Sequence, residues 1–405
     1  MRLRHRKLAE ALTVPIFARR LDGIGFSASQ AAIARSKAAR EAGEIVHDFG
    51  SKLDTPKHVK QAAIDYLHSP KAALYADPRG LAELRTAIAR KLARENGISA
   101  DADTEITVSP GGKQGILTAL LALAGPGDQV LLEDPGWLSF EPMVRLTGAR
   151  PVPVRLRAGD GFALDLDVLA RRITKRTRIL VLCNPHNPTG RVFTAAELAA
   201  IASFVQSRDL MVIMDEAYEH FVFDGRRHAS LASLPGMHER VITAQTCSKT
   251  FNMFGWRVGW LLASPAITER IRLVSVHSIT CVTSFAQAGA AAALDGTIAQ
   301  GSLTLAELAS SYQQQRDALV EGLRAIKGVR CFMPQGAYFA FPDIKRFGLT
   351  SQQLSDRLFA EARVSANPGS LFGRGGEGHL RFVFNAQLPQ IEAGLAALQR
   401  CLRSL

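Results

Sequence analysis

Ile179-Leu-Val-Leu-Cys-Asn-Pro-His-Asn-Pro-Thr-Gly190 is a run of five apolar residues followed by seven that cannot continue it. The apolar run lacks alternation, as does a strand covered on both faces. Two Asn-Pro steps and a glycine then forbid helix and impose a rigid turn. Four more short runs share this character: Gln129–Leu132, Met211–Met214, Val241–Ala244 and Val258–Ala263. Helical patterns lie around and between them. Leu81, Leu84, Ile88 and Leu92 recur at helical spacing and Gly97 closes that helix, while Thr194 and Glu197 form a capping box ahead of Leu198, Ile201 and Val205. From about residue 55 to 295 this alternation predicts an α/β fold, a mostly parallel mixed sheet between helices.

Open α/β sheets bind ligands beyond the carboxyl ends of their strands. Three of the runs lead directly into polar residues, at Asn184–Gly190, Asp215–Tyr218 and Thr246–Lys249, so the chemistry is expected on one edge. After residue 300 a long helical stretch, Leu303–Ile326, precedes strand-like pieces at Tyr338–Phe341 and His379–Phe384. The expected division is an N-terminal arm and part of a small domain in residues 1–50, a large domain in 51–300, and a smaller α+β domain in 301–405.

The 405 residues suit about two domains, and 47% hydrophobic with 21% charged residues is ordinary for a globular chain. No apolar run reaches the roughly 18 residues needed to span a bilayer. Met1–Lys7 is basic and Ala11–Phe17 apolar, as in a secretion signal. Thr13, Pro15 and the following Arg19 and Arg20, with no small-residue cleavage pattern, favour an N-terminal arm instead. Five dispersed cysteines with no metal-ligand spacing fit a reducing cytoplasm, and no metal is expected. The net charge of +12 raises the question of nucleic acid. The cations are scattered among Ala and Leu, as in Arg85–Arg94, and read as a solvated surface that attracts anionic ligands.

Lys249 lies just beyond a buried run, where an unpaired ammonium is costly. An imine with an aldehyde cofactor would remove that charge, and a snorkelling surface lysine is the plainer alternative. Asp215 ends another buried run and needs a cationic partner. A protonated pyridine nitrogen would serve, as would one of the many arginines. Asn187 lies in the rigid turn and could aim its amide at a ligand, although a turn alone explains the sequence.

Asn187-Pro-Thr-Gly190, Asp215-Glu-Ala-Tyr218, and Ser248-Lys249 with Gly255-Trp-Arg257, in this order and spacing, resemble the class I/II aminotransferases of pyridoxal 5'-phosphate (PLP) fold type I. The resemblance runs from about Arg19 to the C-terminus. It implies that Lys249 is the Schiff-base lysine, that Asp215 holds the pyridine nitrogen protonated, and that Asn187 and Tyr218 bond the phenolic oxygen. Backbone N–H groups at Gly112 and Lys113, after Gly111, would cradle the phosphate. Thr246 and Arg257 would add side-chain contacts to it, and Trp137 would stack on the ring. Tyr75 matches a tyrosine reaching the phosphate from a neighbouring subunit, which implies a homodimer with shared active sites. Arg381 would bind the substrate α-carboxylate, and Gly50 would lie beside the substrate.

Two departures bear on specificity. The family's common Gly-Glu-Pro-Asp is replaced by the shorter Gly50-Ser-Lys-Leu-Asp54, and Leu273–Gln315 contains no Arg or Lys that could bind a side-chain carboxylate in the partner's site. The expectation is ping-pong transamination between an L-amino acid, neutral or aromatic rather than aspartate, and a 2-oxo acid. A lyase, an ACC-synthase-like enzyme or an oxidase on the same fold is the alternative, and a non-catalytic binding protein a remote one.

Overall fold

The computed structural model describes residues 18–25, 28–50 and 53–403. The apolar stretch Ala11–Phe17, together with Ser51 and Lys52 of the shortened segment, lies outside them. Seven strands form the main sheet: β1 (Ile106–Ser109), β2 (Gln129–Asp134), β3 (Arg150–Arg155), β4 (Thr177–Cys183), β5 (Met211–Asp215), β6 (Val241–Thr246) and β7 (Gly259–Leu262). Their order is β1-β7-β6-β5-β4-β2-β3. Strands β2 to β6 are parallel, and β7 runs antiparallel to β6 and β1.

All five expected apolar runs are strands, and two further strands lie at the edges. β3 is Arg-Pro-Val-Pro-Val-Arg, whose two prolines lack an N–H and confine it to a sheet edge. β1 has four residues, too few for periodicity to mark it. The helix from Ala82 ends in a single π turn at Leu92–Asn96, capped by Gly97 at φ 67°. The expected box at Thr194 and Glu197 caps the helix Ala195–Ser207.

Apolar side chains cover both faces of the sheet, which is why its strands read as continuous hydrophobic runs. A separate core gathers Phe49, Phe221 and Phe223 with side chains from Ala299 to Leu402. It packs about the helix Leu305–Arg324, a three-stranded sheet and the helix Leu388–Arg403. In that sheet β12 (Leu380–Val383) lies between β10 (Phe339–Ala340) and β11 (Asn367–Pro368), with a small hairpin of β8 (Ile298–Gln300) and β9 (Leu303–Thr304) nearby in sequence. Among the described residues no helix is long and apolar enough to cross a membrane.

Candidate active site

Parallel register aligns the exits of three central strands. Cys183 lies opposite Asp215, and Asp215 opposite Ala244, so the Asn184–Gly190 turn, Asp215–Tyr218 and Thr246–Lys249 leave the sheet side by side. Antiparallel pairing brings the start of β7 to the same edge, since Gly259 lies opposite both Thr246 and Ser109. Arg257 therefore meets the turn that follows β1. Its guanidinium donates to Pro110 O at 3.1 Å and to Phe254 O at 2.9 Å.

That turn requires a glycine. Gly111 has φ 79°, and a Cβ there would stand 2.3 Å from Arg257 Nη2. The helix Gly112–Leu123 begins at once, presenting unpaired N–H groups and its positive dipole end to this point. Thr246 caps the short helix Cys247–Thr250: its hydroxyl accepts from Ser248 N at 3.2 Å and donates to Val258 O at 3.0 Å. Arg257, the helix start and the cap together make a compact, donor-rich turn suited to an anionic group.

Asp215 is only 7% exposed and, among the described residues, accepts one hydrogen bond, from Ala217 N at 3.1 Å. Burial raises its pKa to about 6, with Lys249 opposing. A carboxylate so short of donors suits a protonated ring nitrogen. The Lys249 ammonium lies 4.6 Å from the Phe254 ring centroid and 5.7 Å from that of Tyr218. Burial first, then Arg381, lowers its pKa to about 8, while Asp215 pulls the other way. Tyr218 is buried with its ring edge-on to Tyr338 and Phe339, and burial pushes its phenol well above the usual range.

Arg381, on β12, is 9% exposed and donates from Nη1 to Asn187 Oδ1 at 2.9 Å. Its guanidinium stacks over Phe339 and Phe372 at 4.5 and 4.7 Å, and Nε is buried without a partner. No carboxylate pairs with it among the described residues, so a structural salt bridge does not account for it. Burial lowers its pKa to about 10. Phe49 packs edge-on to Phe382, which brings Gly50 towards the strand that carries Arg381.

Trp137 is half-buried against Phe140, and the Lys113 ammonium lies 5.2 Å from its ring centroid. The sequence reading used only the backbone of Lys113, yet its side chain also turns to the site and is felt by Lys249. Tyr75 is 89% exposed and stands apart from this cluster within its own chain.

Two buried residues behind the site were missed. Glu133, near the end of β2, accepts from Cys183 N at 2.9 Å, and burial lifts its pKa to about 8. His186 Nε2 lies 3.6 Å from it, and burial drives that imidazole to about 3, so the pair is uncharged near neutrality. Reading the apolar run Gln129–Leu132 one residue further would have revealed Glu133 by the signature that revealed Asp215.

The family profile described as aminotransferase class I and II matches residues 44–398. The chain is 38% identical over 351 residues to an aspartate aminotransferase of Pyrococcus abyssi, covering 87% of this chain and 89% of that one. It is 37% identical, at the same two coverages, to aromatic-amino-acid aminotransferase 2 of Thermococcus litoralis. The structure of the aspartate aminotransferase from Thermus thermophilus with maleate superposes with a TM-score of 0.87 at 31% identity, over 95% of this chain and 99% of that one. Donor-rich turn, buried carboxylate, lysine and unpaired arginine thus stand in a chain that belongs to the class I and II aminotransferases, and it is a PLP-dependent transaminase of fold type I.

Proposed function

We propose that the protein moves an amino group from a neutral or aromatic L-amino acid to a 2-oxo acid by a ping-pong reaction, with Arg381 as its carboxylate receptor. The observation that carries this reading is a buried guanidinium with no carboxylate partner among the described residues and one edge held by Asn187. A planar fork binds a carboxylate through two donors, and Nε is still unpaired.

PLP supplies a carbonyl for Schiff-base formation and a pyridine ring that accepts electrons from the substrate Cα. Gly111, Gly112, Lys113, Thr246 and Arg257 would hold its phosphate, and Trp137 would cover its ring. Asp215 would keep a negative charge beside the ring nitrogen, while Asn187 and Tyr218 would donate to the phenolic oxygen. Arg381 and the backbone at Gly50 fix the carboxylate end of the substrate. Lys249, poised near neutrality, takes and returns the proton at its Nζ.

The aromatic surroundings of Tyr218, Tyr338, Phe254 and Trp137 support a neutral or aromatic donor. A second reading rests on Lys113, whose ammonium beside Trp137 could meet a distal carboxylate. The half-reaction separates them: the PLP-loaded protein is mixed with single L-amino acids and no acceptor, and 2-oxo acid is counted per active site. Stoichiometric release led by phenylalanine, tyrosine or leucine supports the first reading, and release led by aspartate supports the second. Catalytic ammonia or hydrogen peroxide without an acceptor would overturn transamination.

The organisation proposed with it is a homodimer in which Tyr75 serves the partner's phosphate, within the cytoplasm. The chain is divided at about residues 50 and 300.

A further inference from the structure

Between Leu294 and Ala299 the chain leaves the main-sheet core for the smaller one. The crossing is the hairpin of β8 and β9, turned by Gly301 at φ 55° and Ser302. Gln300, the last residue of β8, donates from Nε2 to the main-chain oxygen of Lys249 at 2.5 Å, across 51 positions of sequence. Its Oε1 accepts from the Tyr312 hydroxyl at 3.2 Å, and both side chains are buried. Tyr312 lies in the helix Leu305–Arg324, whose capping box at Thr304 and Glu307 starts it directly after the hairpin. The chain folds back there and sets the phenol against the amide. The ring of Tyr312 stacks on Phe221 with centroids 5.1 Å apart and stands edge-on to Tyr338, which fixes it in the smaller core.

A carbonyl oxygen can only accept, so Gln300 must present its NH2 group to Lys249, and its own oxygen then faces a hydroxyl that donates. Tyr312 in this way sets which end of the amide meets the lysine. The need for such a donor is local. The helix Cys247–Thr250 is a single turn, and the last carbonyls of a helix have no partner within it. Phe251 N takes Cys247 O at 3.2 Å, and Gln300 takes Lys249 O. The next residues are held from outside as well. Thr250 Oγ1 lies 2.8 Å from His220 Nδ1, and the Thr55 hydroxyl donates to Asn252 O at 2.9 Å. Gly301 N, in the turn after Gln300, donates to Asp54 O at 2.8 Å. The hairpin thus ties the main chain of the lysine to the smaller core and to the end of the shortened Gly50–Asp54 segment.

We propose that Gln300 is a positioning residue for proton transfer, oriented by Tyr312, and that through it the smaller core sets where Lys249 Nζ stands. This rests on the role given above to Lys249, which takes and returns a proton. The amine must stand within hydrogen-bond reach of the proton it takes. A misplacement of about 1 Å can cost about a hundredfold in rate. Neither hydrogen bond of the Gln300 amide goes to Arg381, Asn187 or Gly50, the groups around the substrate carboxylate. Losing the amide should therefore slow proton transfer while donor binding at Arg381 stays nearly unchanged.

The test is the half-reaction of the full-length, PLP-loaded protein with its best amino donor, carrying hydrogen or deuterium at Cα. Release of 2-oxo acid is followed per bound PLP, so that loss of folded protein does not count as loss of rate. Gln300→Met keeps the length of the side chain and removes its amide. It should lower the maximal rate at least tenfold and change the half-saturating donor concentration less than twofold. Its deuterium isotope effect should be at least as large as that of wild type, because the slowed step breaks the Cα–H bond. Tyr312→Phe keeps the stacked ring and should lower the rate in the same way by a smaller factor, and it carries the test if Gln300→Met does not fold. Hydrogen exchange in the peptide spanning Cys247–Asn252 should quicken in both variants. The proposal is overturned by a wild-type maximal rate in either variant, by unchanged exchange, by an isotope effect suppressed towards one, or by a matching rise in the half-saturating concentration. Lys249→Ala tests the underlying role separately. Near wild-type turnover in Lys249→Ala overturns both readings, whereas an inactive Lys249→Ala beside wild-type Gln300 and Tyr312 variants overturns the positioning alone.

Discussion

Burial and the neighbouring Arg381 bring Lys249 to about 8, and this has a kinetic consequence in the apo protein. Only the neutral amine attacks an aldehyde, so the rate of PLP uptake should rise with pH and level off above about 8. Asp215 supports the charged form, and Asp215→Asn should move the midpoint to lower pH; stopped-flow absorbance measures both. Lys249→Ala should leave PLP bound without a covalent link and abolish turnover, and near wild-type turnover would remove the role given to Lys249. Glu133 gives a stability prediction. Its folded pKa, about 8, lies above the ordinary carboxyl value of 4.5. Between those values the unfolded chain has lost a proton that the folded chain keeps, so stability falls as pH rises through the window. Glu133→Gln removes that dependence. It should match wild type near pH 4 and exceed it by about 4 kcal/mol near pH 8, as read from urea unfolding at both pH values.

At the scale of elements, the β1 exit and the helix after it are joined by a turn that only glycine can make. Gly111→Ala forces a positive φ on an L side chain and drives its Cβ into Arg257. PLP should then dissociate at least tenfold more readily, with little change in far-ultraviolet circular dichroism. The capping box of Ala195–Ser207 is independent of the site, and Thr194→Ala should cost about 1 kcal/mol in urea unfolding while leaving turnover unchanged. The central strands and this helix were legible because their signals are local: unbroken apolar runs, and a Thr-x-x-Glu pair. The edge strands were not. β3 carries prolines that argue against a strand, and only its place at the sheet edge makes them acceptable.

For the whole molecule, Leu67, Leu74, Tyr75 and Leu273 are all more than half exposed, an unusual display of large apolar side chains. Burial between two copies would account for it. Light scattering should give twice the mass of one chain, and Tyr75→Phe should weaken PLP retention although Tyr75 touches nothing in its own site. A monomer that retains PLP normally would contradict both the dimer and the role of Tyr75.

Asp215, Lys249 and the Asn187 turn were readable along the chain for one physical reason: parallel strands with two-sided burial bring their carboxyl ends together in whatever order they occur. The resemblance to a known family added roles that no spacing contains, such as that of Arg381. Tertiary structure alone decided the rest. The bond between Asn187 and Arg381 joins residues 194 positions apart and exists only because the strand bearing the arginine packs against the sheet edge. Whether a carboxyl group is ionised, as with Glu133 beside His186, depends on which side chains exclude water from it. Burial is a property of packing, and packing is not written at any single position of the chain.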